Sequence, residues 1–153
     1  MASRRRSRVL ALQFLFAEDV IPGNRVDERL EDFCARFNLS RKTYPHFFTL
    51  VQGVKQARDE VEAWIEGSSE HWKISRMSGV DRNIMRIAVY EMLYCDDVPA
   101  KVAINEAIEI GKKFGTEESG AFINGVLDRI NKALSSDTRQ EPFETDNPTD
   151  SKE

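Results

Sequence analysis

Residues 98–130 read VPAKVAINEAIEIGKKFGTEESGAFINGVLDRI, and the punctuation of this stretch decides the fold. Pro99 suits the first turn of a helix, where a missing N–H leaves nothing unpaired. Val102, Ile104, Ala107, Ile108 and Phe114 recur at helical spacing, with Ile110 on the margin of the stripe. Glu106 and Glu109 precede Lys112 and Lys113 by about one turn, the favourable order of charges along a helix. Gly115 is placed to end that helix in a left-handed conformation. Thr116 can cap a second helix whose first turn holds Glu117 and Glu118. Ile123, Val126, Leu127, Ile130 and Leu134 then form a buried stripe. Phe122 and Asn124 lie off its centre.

Working upstream, the same periodicity continues. Ser78, followed three residues on by Asp81, resembles a capping box with Asp in place of Glu. Val80, Ile84, Ile87, Ala88, Met92 and Leu93 follow as a helix that ends at Asp96-Asp97. Arg86 and Glu91 are embedded in it. Charges inside an apolar helix are paired, and these two stand five apart, so their partners are expected on other helices. Trp72, Ile74 and Met77 predict a short helix. Before it, Ser40 is expected to cap one long helix whose core face includes Phe47, Phe48, Val51, Val54, Val61, Trp64 and Ile65, with Pro45 in its opening turns. Gly53 weakens that helix and predicts close packing against a neighbour. Leu30, Phe33, Cys34 and Phe37 mark a short helix after a Pro22-Gly23-Asn24 turn. Ser3 caps a first helix to about Glu18. Its apolar face is read as Val9, Leu12, Leu15 and Phe16, widened by Leu10, Ala11 and Phe14.

No segment alternates with period two, so the expected fold is all-α: about seven helices with short connections in an orthogonal bundle over residues 1–134. Residues 135–153 are polar and hold Pro142 and Pro148, and are expected to be a disordered acidic tail. They contain six acids and two bases, and so account for the whole net charge of −4. The body is neutral overall, and within it Arg4, Arg5, Arg6 and Arg8 stand with no acid before Glu18. Cations at a helix N-terminus oppose the helix dipole. An anionic partner would explain them, and so would a solvated, frayed end. Lys101, in the first turn of its helix, poses the same question. Phe122 reads either as a margin of the core or as a platform on which a base stacks, and Asn124 either as a base reader or as a cap.

The apolar run VLALQFLFA after the arginines is interrupted by Gln13, followed at once by Glu18 and Asp19, and has no A-x-A site, so a cytosolic helix is expected rather than a signal peptide. No apolar run approaches the roughly 18 residues of a membrane span. Cys34 and Cys95 fit no metal spacing and are expected as free thiols. Only His46 and His71 are present, with no nucleophile pattern, phosphate loop or dinucleotide fingerprint. No catalytic constellation, metal or cofactor site is expected.

Three segments together resemble the NusB family of bacterial transcription antitermination factors: SRRRSRVLALQFLF at 3–16, RIAVYEML at 86–93 and DVPAKVAINEAIEIGKKFGTEESGAFINGVLDRI at 97–130. The likeness covers roughly residues 3–131 and implies an all-helical fold of two packed subdomains. It implies a non-enzymatic adaptor that binds boxA RNA of nascent rRNA-operon transcripts together with NusE, a ribosomal small-subunit protein, within an RNA polymerase antitermination complex. By position it implies RNA contacts at Arg4, Arg5, Arg6, Arg8 and Phe122, with Lys101 and Asn124 as further candidates from the reading above. It implies NusE contacts at Phe16, where Tyr is common, and at Asp81, where Glu is common. Two other readings remain open on sequence alone. The same domain resembles the RNA-binding part of certain rRNA cytosine methyltransferases, and some family members pair, so a homodimer could act as a scaffold.

Overall fold

The structure is a computed structural model that describes residues 3–21, 23–70 and 72–136. Pro22, His71 and residues 137–153 of the expected tail lie outside the described residues. Seven α-helices and one 3₁₀ turn are present among them, with no strand: α1 Arg4–Val20, α2 Val26–Phe37, α3 Pro45–Gln56, α4 Arg58–Ser68, the 3₁₀ turn Ile74–Arg76, α5 Gly79–Tyr94, α6 Ala100–Phe114 and α7 Ser119–Ser136.

The helix count matches expectation, but its composition differs in two places. The long helix expected from Ser40 is divided: it begins at Pro45 and bends at Ala57 (φ −102°, ψ 22°) into α3 and α4. The Ala57 N–H still donates to the Gly53 carbonyl and its own carbonyl accepts from Val61, so the bend costs little hydrogen bonding. Its cause is tertiary: α3 packs on α1 and α5, whereas α4 turns to pack on α5 and α7. Ser40 instead closes a turn, accepting from the Thr43 N–H at 3.2 Å. The helix expected around Trp72–Met77 is only the 3₁₀ turn.

The caps that were read locally are present. Ser3 Oγ accepts from the Arg6 N–H at 3.1 Å, and Ser78 Oγ from the Asp81 N–H at 3.0 Å. Pro99 is the N-cap of α6. Gly115 ends α6 but in an extended conformation (φ −100°, ψ −154°), not a left-handed one. Glycine is needed there for space, because Ser119 occupies the position a Cβ would take. Thr116 precedes α7 by a turn: Ser119 Oγ accepts its N–H at 2.9 Å, and Thr116 Oγ1 accepts from Glu118 N–H at 3.3 Å.

α5 is the central element and touches α1, α3, α4, α6 and α7. On one side α1 carries α2 and α3. On the other, α4, α6 and α7 close over it, and one continuous apolar core joins the two groups. Of the α7 stripe, Ile123, Val126, Leu127 and Ile130 are fully buried, as read, while Leu134 is half-buried. The α6 stripe is rotated from its expected centre: Ala103, Ile104, Ala107 and Ile110 are buried, while Val102 and Phe114 face outward. Likewise α1 buries Leu10, Ala11, Leu12 and Phe14, leaving Val9 and Leu15 half-buried and Phe16 exposed. Gly53 meets the ring of Tyr90 of α5 directly, the close approach its position predicted.

Candidate nucleic-acid and protein interfaces

The two embedded charges of α5 find partners on other helices. Arg86 is gripped by Asp19 of α1 at 2.9 Å and by Glu62 of α4 at 2.6 Å. Asp19 also accepts from Arg82 and Asn83 at 2.9 Å each. Burial alone would raise its pKa, but these hydrogen bonds and the Arg86 charge outweigh it and hold the carboxyl below the usual range. Glu91 accepts from Arg8 of α1 at 2.9 Å and sits 2.6 Å from His46 Nε2 of α3. These networks fix the direction of α1 along α5, and so determine what its two ends present.

The N-terminal end of α1 is basic. Arg4 reaches Asp97, in the connection after α5, at 2.7 Å. Arg5 forms a bidentate pair with Glu106 of α6 through Nε and Nη2, at 2.5 and 2.9 Å. Those hydrogen bonds, Arg4 on Asp97 and Arg5 on Glu106, lower both carboxyl pKa values. Arg6 and Lys101 are exposed and enter no ion pair among the described residues. Arg8 is different: only 4% exposed, it is committed to Glu91, with Glu106 3.4 Å from its Nη1. Thus Arg4, Arg5 and Arg6 lie in the first turn of α1 and Lys101 in the first turn of α6, with Arg8 buried one turn further into α1. The charged surface survives its own counter-ions, since two cations stay unpaired and the paired ones keep free N–H groups.

The other end of α1 is aromatic. Phe16, 40% exposed, lies against the start of α5, where a Cβ on Gly79 would stand 2.6 Å from its ring. Asp81 follows in the first turn of α5, and its Oδ1 is buried with no hydrogen-bond partner. Asp81 lines an open, largely apolar cavity of about 260 Å³ with Trp72, Arg76, Met77, Glu118 and Phe122. Phe122 is half-buried against the core and lines this surface hollow.

The structure thus groups Phe122 with Asp81 and Trp72 around one hollow, not with the arginines. Twelve residues of α1 separate Arg4 from Phe16, about 18 Å along the helix. Asn124 is exposed about 200° around α7 from Phe122, so the two do not share a face. Two residues were not recognised from sequence. Trp72, which sequence places only in a short helix, is 52% exposed and lines the cavity. Glu106, in sequence one of the acids that lead Lys112 and Lys113 along a helix, joins Arg5 to Arg8. No local signal marked either role. Among the described residues, no cluster of His, Cys, Asp or Glu could hold a metal ion, and Cys34 and Cys95 are free thiols.

Comparison with known proteins agrees with this architecture. The family model described as the NusB family matches residues 5–132. The chain is 66% identical to a transcription antitermination protein NusB from Desulfosudis oleivorans, over all of both chains. It is 50% identical to that of Desulfatibacillum aliphaticivorans, over 92% of this chain and 98% of the relative. Among solved structures, T. maritima NusB superposes with a TM-score of 0.78 at 37% identity, covering 86% of this chain and 92% of that one. The complex of antitermination factors NusB and NusE with dsRNA gives 0.74 at 27% identity, covering 85% and 96%. On full-length sequence similarity and shared fold, this chain belongs to the NusB family.

Proposed function

We propose that this chain is a transcription antitermination factor of the bacterial cytoplasm that holds boxA RNA and NusE at once and has no catalytic role. The observation that carries the reading is the polarity of α1, cationic at one end and at the other bearing exposed Phe16 against the start of α5, with buried ion pairs to α5 toward both ends. A solved relative that assembles NusB with NusE and double-stranded RNA supports it.

Each role follows from chemistry. Arg4, Arg5, Arg6 and Lys101 hold phosphates, and Arg8, neutralised by Glu91, supports that end of α1 from below. Phe122 offers a ring to an unstacked base, and Asn124, on the far side of α7, offers its amide to a separate base edge. Phe16 and Asp81 meet NusE. Because Phe122 lies at the far end of α1 from the arginines, the RNA must run along the helix as an extended strand. It then passes the NusE-binding residues, so each ligand raises the effective concentration of the other. A mobility-shift titration with boxA RNA and NusE, singly and together, tests this. NusE is expected to tighten RNA binding by about tenfold or more. An affinity that NusE leaves unchanged would refute the adaptor reading.

A further inference from the structure

A chain of polar contacts runs from the interior to the basic surface. His46 Nε2 of α3 stands 2.6 Å from Glu91 of α5, and Glu91 stands 2.9 Å from Arg8 of α1. Arg8 Nη1 stands 3.4 Å from Glu106 of α6, and Glu106 stands 2.5 Å from Arg5 of α1. Glu91 by itself balances buried Arg8, so Glu106 is not needed to neutralise the interior. Its two oxygens take the Nε and Nη2 edge of Arg5, leaving Nη1 as the edge without a hydrogen bond among the described residues. The Glu106 side chain is itself only 20% exposed, whereas that of Arg5 is 54% exposed, so the anchored partner is the acid.

We propose that Glu106 is a positioning residue for RNA recognition: held by Arg8, it fixes the Arg5 guanidinium so that one defined edge meets the nucleic acid. This rests on the proposed RNA-binding role of the arginine surface. A floppy arginine binds any phosphate equally well. A fixed one favours the backbone path of one RNA over others, so Glu106 trades general affinity for discrimination. Glu106 also sets a negative charge beside Arg5 and repels phosphates that approach that guanidinium from any other side.

The test is a double-mutant cycle on the full chain, measuring the affinity ratio between boxA RNA and a scrambled RNA of equal length. Glu106→Gln is expected to raise scrambled-RNA binding and to lower the ratio about three- to tenfold, the size of an ordinary pairwise coupling. In an Arg5→Ala background the same substitution is expected to leave the ratio unchanged. Glu106→Asp keeps the charge but draws the carboxylate back by one methylene, and it too is expected to lower the ratio. A ratio unmoved by either variant, or moved equally with and without Arg5, would overturn the assignment while leaving the RNA-binding role intact. If the unmodified chain binds neither RNA, both fall together.

Discussion

Arg8 and Glu91, 83 residues apart in sequence, form an ion pair that solvent barely reaches. Arg8 Nε lies 3.1 and 2.9 Å from the two carboxylate oxygens, and one of those oxygens also meets His46. Removing one member of such a pair strands a buried charge. Arg8→Ala is expected to destabilise the fold by about 3–5 kcal/mol. Adding Glu91→Gln, which removes the stranded charge and keeps a partner for His46, is expected to restore part of that. Denaturant unfolding of the single and double variants measures both. An Arg8→Ala protein of unaltered stability would contradict the buried pair.

Gly53 gives a prediction of opposite sign to helix propensity. In an open helix, Gly→Ala stabilises by roughly 0.5–1 kcal/mol. Here a Cβ would collide with the Tyr90 ring. Gly53→Ala is expected to destabilise by about 1–3 kcal/mol, as overpacking does, lowering Tm by about 2–4 °C for each kcal/mol. A raised Tm would show that α3 and α5 are farther apart than described.

Asp19 links stability to acid. Its folded carboxyl titrates below the ordinary value of 3.8, despite a burial that alone would raise it, because Arg82, Asn83 and Arg86 favour the charged form. The stabilisation is therefore fully present above the unfolded value and is lost as pH falls through the folded one. Asp19→Asn is expected to lower stability at neutral pH and to flatten the acid limb of the stability curve below about pH 4. Urea midpoints measured from pH 7 to pH 2 check this, and parallel curves for the two proteins would refute it.

Phe122 separates base stacking from phosphate binding. Phe122→Asp is expected to weaken boxA binding by about 1–3 kcal/mol, the scale of one stacked base. Phosphate contacts at the arginine surface should be retained, so the salt dependence should stay close to that of the parent chain. Anisotropy titrations at several salt concentrations read both quantities. Unchanged affinity would remove Phe122 from the RNA path.

The contrast between what sequence disclosed and what it hid follows from the range of the forces. Pro99, Ser78 and the Ile123–Ile130 stripe act through neighbours within a turn, and their reading holds. Ser3 is equally local. The bend at Ala57 has no proline or glycine to announce it, because its cause is the different packing duties of α3 and α4. The α6 stripe was read off centre because apolar residues surround much of that helix, and only packing against α5 and α7 chooses Ile110 over Val102. That Arg86 and Glu91 needed partners was legible. That those partners are Asp19, Glu62, Arg8 and His46 was not, since each lies at least 24 residues away. The grouping of Phe122 with Asp81 and Trp72 is of the same kind, a contact that only the folded chain creates.

The central claim is that RNA is held at the start of α1. Its most direct test is the salt dependence of boxA RNA binding by the chain and by an Arg4→Ala, Arg5→Ala, Arg6→Ala variant. Single-stranded contacts contribute about 0.7 to the slope of log K against log salt for each phosphate neutralised. The variant is expected to bind more weakly and to lose about 2 from that slope. A variant with the parent's slope would show that the arginines do not touch RNA and would place the binding surface elsewhere.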